Sequence, residues 1–191
     1  MADSPRTPAP VPSTTRRLLV VRHGKAAHEA PGGGGDRFRP LTGRGRRDAR
    51  ALGEALAAGR LGTRPDLVIC SVAVRTRQTA ELVTEALGGS VPVEAFRSLY
   101  GADPSVVLRY VREIDEEVGC AMVVGHNPTA FEVAVELVGA GGPERAREDR
   151  RRLEAHGFPT CAVADLHLGA PSWEDLAPGC AELVDLHRPP Y

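Results

Sequence analysis

Three short runs of consecutive apolar residues punctuate the chain: Leu18-Leu19-Val20-Val21, Leu67-Val68-Ile69-Cys70 and Ala121-Met122-Val123-Val124. Each is rich in branched side chains and ends at turn residues, the pattern of strands buried on both faces. A fourth, mixed run from Cys161 to Leu168 reads as a strand at a sheet edge or in antiparallel pairing, and Val91 to Val93 and Glu182 to Leu186 as further short strands. Between these runs the apolar residues recur at helical spacing. Thr42 to Ala58 puts Ala49, Leu52, Ala55 and Leu56 on one face, with Thr42 as N-cap. Ser71 to Arg75 reads as a turn leading into a helix to about Leu87, with Thr79, Leu82, Val83 and Ala86 in register. Asp103-Pro104 supplies an N-cap and a first-turn proline for a helix to about Val118. Asn127-Pro128 repeats that signal for a helix through about Val138.

Strands alternating with helices predict an α/β fold, a three-layer sandwich with a mostly parallel central sheet. Residues Met1 to Arg16 are rich in Pro, Ser, Thr and Ala without a period and read as a disordered tail, which leaves 17–191 as a single domain. The polar, Arg-rich stretch from Gly139 to Gly157 reads as an excursion or a partly helical lid. The chain of 191 residues suits one domain with a real core.

Composition narrows the partners. A formal net charge of −1 gives no overall pull towards nucleic acid or acidic membranes. No apolar run is long enough to span a bilayer, and the N-terminus lacks the apolar core of a signal peptide. The four cysteines (Cys70, Cys120, Cys161 and Cys180) show no close pairing and read as reduced, structural residues of a cytoplasmic protein rather than a zinc site. Gly32 to Gly35 is not followed by the Lys-Ser/Thr of a phosphate-binding loop, and reads as a flexible loop. A monomer without metal or cofactor is the expectation.

The chemistry gathers where strands end. The first strand ends in Arg22-His23-Gly24, the second leads to Ser71 and Arg75, and the third ends at His126. Strand ends of a parallel sheet lie side by side, and their turns are where α/β folds bind ligands. Two imidazoles and several guanidinium groups around one cavity suit phosphoryl transfer. Arg binds phosphate oxygens through a planar fork and stays charged at any working pH. An imidazole nitrogen can attack phosphorus and carry the group covalently. A second His can stabilise the charge that builds on the equatorial oxygens.

These motifs resemble a known family. Arg22-His23-Gly24, the phrase from Ser71 to Ala80 with its Arg four residues after a Ser, and Val124-Gly125-His126-Asn127-Pro128 are similar to the signature of the histidine phosphatase superfamily, with its phosphoglycerate-mutase-like fold. Arg39-Pro40-Leu41-Thr42 and Phe158-Pro159-Thr160-Cys161-Ala162 resemble the small SixA-like phosphohistidine phosphatases. The resemblance spans about Leu18 to Leu168. It implies that His23 is the nucleophile, that His126 is the second catalytic His, and that Arg22, Arg75 and Arg39 bind the phosphoryl group. Asn127 and Thr160 are near-site candidates.

The implied activity is metal-independent hydrolysis of a phosphohistidine or a small phosphomonoester. Two alternatives stay open: phosphoglycerate-mutase-type transfer, and a non-catalytic phosphohistidine-binding module. Two departures matter. Lys25 follows the triplet where an acidic or small residue is common, and no spacing selects a general acid among Glu29, Asp36, Glu94 and Asp103.

Overall fold

The computed structural model describes residues 16–139 and 144–191. Six strands form one sheet in the order β3-β2-β4-β1-β5-β6. They are β1 (Arg16–Arg22), β2 (Leu67–Ser71), β3 (Val93–Phe96), β4 (Cys120–Gly125), β5 (Val163–Leu168) and β6 (Ala181–His187). β1, β2, β3 and β4 run parallel, whereas β5 is antiparallel to both β1 and β6. The sheet is thus mostly parallel, with its antiparallel strand one place in from the edge that β6 forms.

The helices are α1 (Gly43–Ala57), α2 (Val74–Ala86), α3 (Pro104–Arg112), α4 (Thr129–Val138) and α5 (Glu144–His156). Alternation along the strands sorts them into two layers. Leu18, Val20, Ile69 and Val123 face a core shared with α3, α4 and α5, which also takes the fully buried Trp173. Leu19, Val21, Cys70 and Met122 face the opposite core, shared with α1 and α2. This is the expected three-layer sandwich.

Several boundaries move. The expected tail lies outside the described residues except for Arg16, which already pairs in β1. β3 starts at Val93 because Pro92 has no N–H to give a ladder; its carbonyl still accepts from the Val68 amide. α3 ends at Arg112, short of Val118, because the Asp115 carboxylate captures the Glu117 amide in a local turn. α4 begins only at Thr129, since Asn127 turns its side chain to the Phe158 carbonyl instead of capping the helix. Of the Arg-rich stretch, residues 140–143 lie outside the described residues; the rest is helical and packed instead of forming a lid, since α5 lies beside α4 and β6, with Leu153 fully buried and Asp149 accepting from the Leu183 amide.

The fold sets the site by register. Arg22 stands opposite Gly125 on the paired strands β1 and β4, and the His23 amide donates to the Gly125 carbonyl at 3.0 Å. The residue after β1 and the residue after β4 are therefore neighbours, and Cys70 opposite Val124 brings the end of β2 to the same edge.

Candidate active site

His23 is 9 % exposed and lies 5.2 Å from His126 between ring centroids, edge to face. Its Nδ1 is 2.7 Å from the carbonyl oxygen of Gly24. A carbonyl only accepts, so Nδ1 carries the ring proton and Nε2 keeps its lone pair. Burial lowers the His23 pKa to about 4, with the Gly24 carbonyl opposing and Arg75, Arg22 and Arg39 adding to the shift. The ring is neutral at physiological pH, as a nucleophile requires.

The backbone under His23 is fixed from both sides. Gly24 donates its amide to Thr79 Oγ1 at 3.0 Å, and that hydroxyl donates to the Arg75 carbonyl at 2.7 Å. The amide of Cys161 bonds the carbonyls of Arg22 and His23 at 3.0 and 3.2 Å. Cys161 adopts a left-handed backbone (φ 62°), uncommon for a side chain of this kind, and the hydrogen bonds hold it there. Gly24 is demanded by contact: a Cβ there would meet the Gly45 carbonyl oxygen at 2.8 Å, where the first turn of α1 crosses.

His126 sits at the end of β4 with Nε2 2.7 Å from Ser71 Oγ at the end of β2. Ser71 is in turn 2.8 Å from Thr76 Oγ1. Burial lowers the His126 pKa to about 3, with neighbouring His23 and Arg75 adding to the shift. Both imidazoles are therefore neutral, and the positive charge of the site resides on arginines.

Arg75, on the first turn of α2 rather than in the turn before it, is 5 % exposed. It donates to Asp36, through Nη1 to the backbone oxygen at 2.7 Å and through Nη2 to Oδ2 at 2.8 Å. Arg22 is tied through Nη1 to the Phe158 carbonyl at 2.8 Å, which also receives Asn127 Nδ2 at 3.0 Å. Arg39 Nη1 bonds the Ala27 carbonyl, and its Nε lies 2.8 Å from Asp36 Oδ1 as an ion pair, without the alignment of a hydrogen bond. Arg22 Nε, Arg75 Nε and His126 Nδ1 are buried without a partner among the described residues. Buried donors are nearly always satisfied; the two orphaned guanidinium N–H groups beside the imidazoles suit an anion.

All five residues expected at the site converge there. The four acid candidates separate: Glu29 and Glu94 are exposed, Asp103 caps α3 through the Val106 amide, and Asp36 alone reaches the arginines. Lys25 is exposed, and its carbonyl accepts from the Thr42 amide and hydroxyl. Thr160 lies on the turn that bonds the Arg22 and His23 backbone. Sequence reasoning missed Tyr100, whose hydroxyl donates to Asp36 Oδ2 at 2.8 Å and whose ring stands 5.7 Å from that of His126; no local pattern marks it. It also gave no role to Thr79, a polar residue on an apolar helix face, which was a usable signal. Among the described residues no three His, Cys, Asp or Glu side chains cluster as metal ligands would, and no helix is long and apolar enough to cross a membrane.

Comparison with known proteins bears on family and fold. The family model of the histidine phosphatase superfamily (branch 1) matches residues 18–103. An uncharacterized protein of Mycobacterium tuberculosis is 37% identical over 169 residues, spanning 88% of this chain and 99% of the relative. A SixA protein from Nakamurella multipartitia is 31% identical with a TM-score of 0.76, covering 93% of this chain and 98% of that one. A SixA protein from Agrobacterium tumefaciens is 28% identical with a TM-score of 0.73, covering 92% and 99%. The protein histidine phosphatase SixA complexed with tungstate is 25% identical with a TM-score of 0.68, covering 91% and 97%.

Proposed function

Because this chain belongs to the histidine phosphatase superfamily, among its SixA-like members, and is thereby a phosphatase, we propose that it hydrolyses a phosphohistidine or a small phosphomonoester through a covalent phosphohistidine on His23. The observation that carries the reading is the bond from His23 Nδ1 to the Gly24 carbonyl, which leaves Nε2 its lone pair on a ring whose pKa is lowered by burial and by Arg75, Arg22 and Arg39 nearby.

In the first step Nε2 attacks phosphorus in line, a P–N bond forms, and the P–N or P–O bond to the leaving group breaks. The leaving group departs with the electron pair and takes up a proton. In the second step water attacks phosphorus, the bond to Nε2 breaks, and inorganic phosphate is released with His23 restored. The arginines and His126 meet the charge on the transferring oxygens. Side-chain cations do this work, so the reading includes turnover without metal. A leaving imidazole, protonated before or during departure, asks less of an enzyme acid than an alkoxide does. Asp36, drawn down to about 2 by its Tyr100 and Arg75 bonds, is a poor proton donor, which weighs against the mutase alternative. The same reading takes the protein as a cytoplasmic monomer acting on a phosphorylated substrate. Four unpaired cysteines and a net charge of −1 support that setting.

The test is phosphate release in EDTA by wild type and His23→Ala, on a phosphohistidine peptide and on p-nitrophenyl phosphate, with a denaturing quench of the wild-type reaction. The expected result is turnover lost in the variant and an acid-labile phosphoryl adduct in the quench. Full activity in His23→Ala, or no adduct, overturns the covalent mechanism.

A further inference from the structure

Asp36 opens the second of two 3-10 turns, Asp36–Phe38, in the loop between β1 and α1. Its carboxylate is gripped from three directions: Arg75 Nη2 and the Tyr100 hydroxyl each donate to Oδ2 at 2.8 Å, and Arg39 Nε faces Oδ1 at 2.8 Å. Two of the three guanidinium groups assigned to the phosphoryl group are thus engaged by one internal anion. The two sides of this contact differ in freedom. The Arg75 side chain is 6 % exposed and fixed in α2, whereas the Asp36 side chain is 51 % exposed. Just before Asp36, Gly32 and Gly33 adopt positive φ with open space around them, so the loop has room to rearrange.

We propose that Asp36 is an internal competitor for the phosphoryl seat: a substrate's terminal phosphoryl oxygens take over the Arg75 and Arg39 donors, and the 36–38 turn carries its carboxylate away. The inference rests on the reading of Arg75 and Arg39 as phosphoryl ligands and adds a rule of selection. A singly charged anion that replaces a carboxylate exchanges like for like. A doubly charged terminal phosphoryl group gains a further charge's worth of attraction at the same donors. The seat therefore favours phosphomonoesters and phosphoramidates, and holds off phosphodiesters and free carboxylates. The carboxylate stays ionised throughout the working range, so the competition does not fade near neutral pH.

The same bonds could instead brace Arg75 for phosphate, and the two roles predict opposite signs. The test is calorimetric titration of the full chain with inorganic phosphate and with tungstate, for wild type, Asp36→Asn, Tyr100→Phe and Arg75→Ala, alongside turnover of p-nitrophenyl phosphate. Removing the competitor in Asp36→Asn is expected to tighten phosphate binding roughly tenfold, about one charge contact at this kind of site. Tyr100→Phe, which only loosens the carboxylate by one hydrogen bond, is expected to tighten it about two- to threefold. Arg75→Ala is expected to abolish it. Binding in Asp36→Asn that is unchanged or weaker overturns the inference. If wild type still turns over in that case, the phosphatase reading stands and only this inference falls. Absence of phosphate binding in wild type and Asp36→Asn alike overturns the seat itself.

Discussion

Thr79 Oγ1 accepts the Gly24 amide at 3.0 Å, and through that bond α2 holds the turn that carries His23. The same hydroxyl donates to the Arg75 carbonyl at 2.7 Å, so the proposed nucleophile His23 and the proposed phosphoryl ligand Arg75 share one anchor.

Thr79→Val keeps the shape of this fully buried side chain and removes both bonds. Leaving the Gly24 amide buried and unpaired costs about 1–3 kcal/mol. We expect kcat to fall roughly tenfold or more with KM little changed, and Thr79→Ser to recover most of the loss. Equal losses in the Val and Ser variants, measured on p-nitrophenyl phosphate, would contradict the anchoring role.

Ser71→Ala removes the partner of His126 Nε2. The ring then loses the bond that fixes its orientation beside His23. The expected outcome is a drop in kcat of about tenfold with the fold intact by circular dichroism. A change confined to KM would place Ser71 in binding instead.

The pH dependence follows from burial. The folded-state pKa of His23 is about 4 and that of His126 about 3, both below the ordinary 6.5, chiefly because burial penalises the charged ring. From roughly pH 6.5 down to about pH 4 for His23 and about pH 3 for His126, the unfolded chain takes up protons that the folded site refuses, so stability falls as pH falls through that window and is complete above it. In an NMR titration the His23 and His126 ring protons should keep their neutral shifts down to about pH 5. Titration of either ring near 6.5 would contradict the buried site.

Gly45→Ala tests the crossing of α1 over the triplet. A Cβ there would meet the Lys25 carbonyl oxygen at 2.2 Å, a backbone atom that has no easy retreat. Overpacking of this kind costs about 1–3 kcal/mol, which would lower the melting temperature by several degrees and shift the Gly24 turn. Unchanged melting and activity would show that the helix start yields freely.

The sequence by itself determined the architecture and pointed to the groups proposed to react. Its buried strand runs, helical spacing, the Thr42 and Asp103 caps and the Arg22-His23-Gly24 and Val124-to-Pro128 motifs are local signals, because pleat, helix period and capping each act over a few residues. Tertiary structure decided what those residues do to one another. It placed Tyr100, 64 residues along from Asp36, against that carboxylate, brought Asp36 alone of four acidic candidates to the arginines, and set Thr79 under Gly24. It also turned the Asn127 side chain from a cap to the Phe158 carbonyl and packed the Arg-rich residues Glu144–His156 as a helix. These outcomes depend on strand register and on which loops cross the carboxyl edge of the sheet. Such long-range geometry comes from packing the two layers together, and no window of neighbouring residues encodes it.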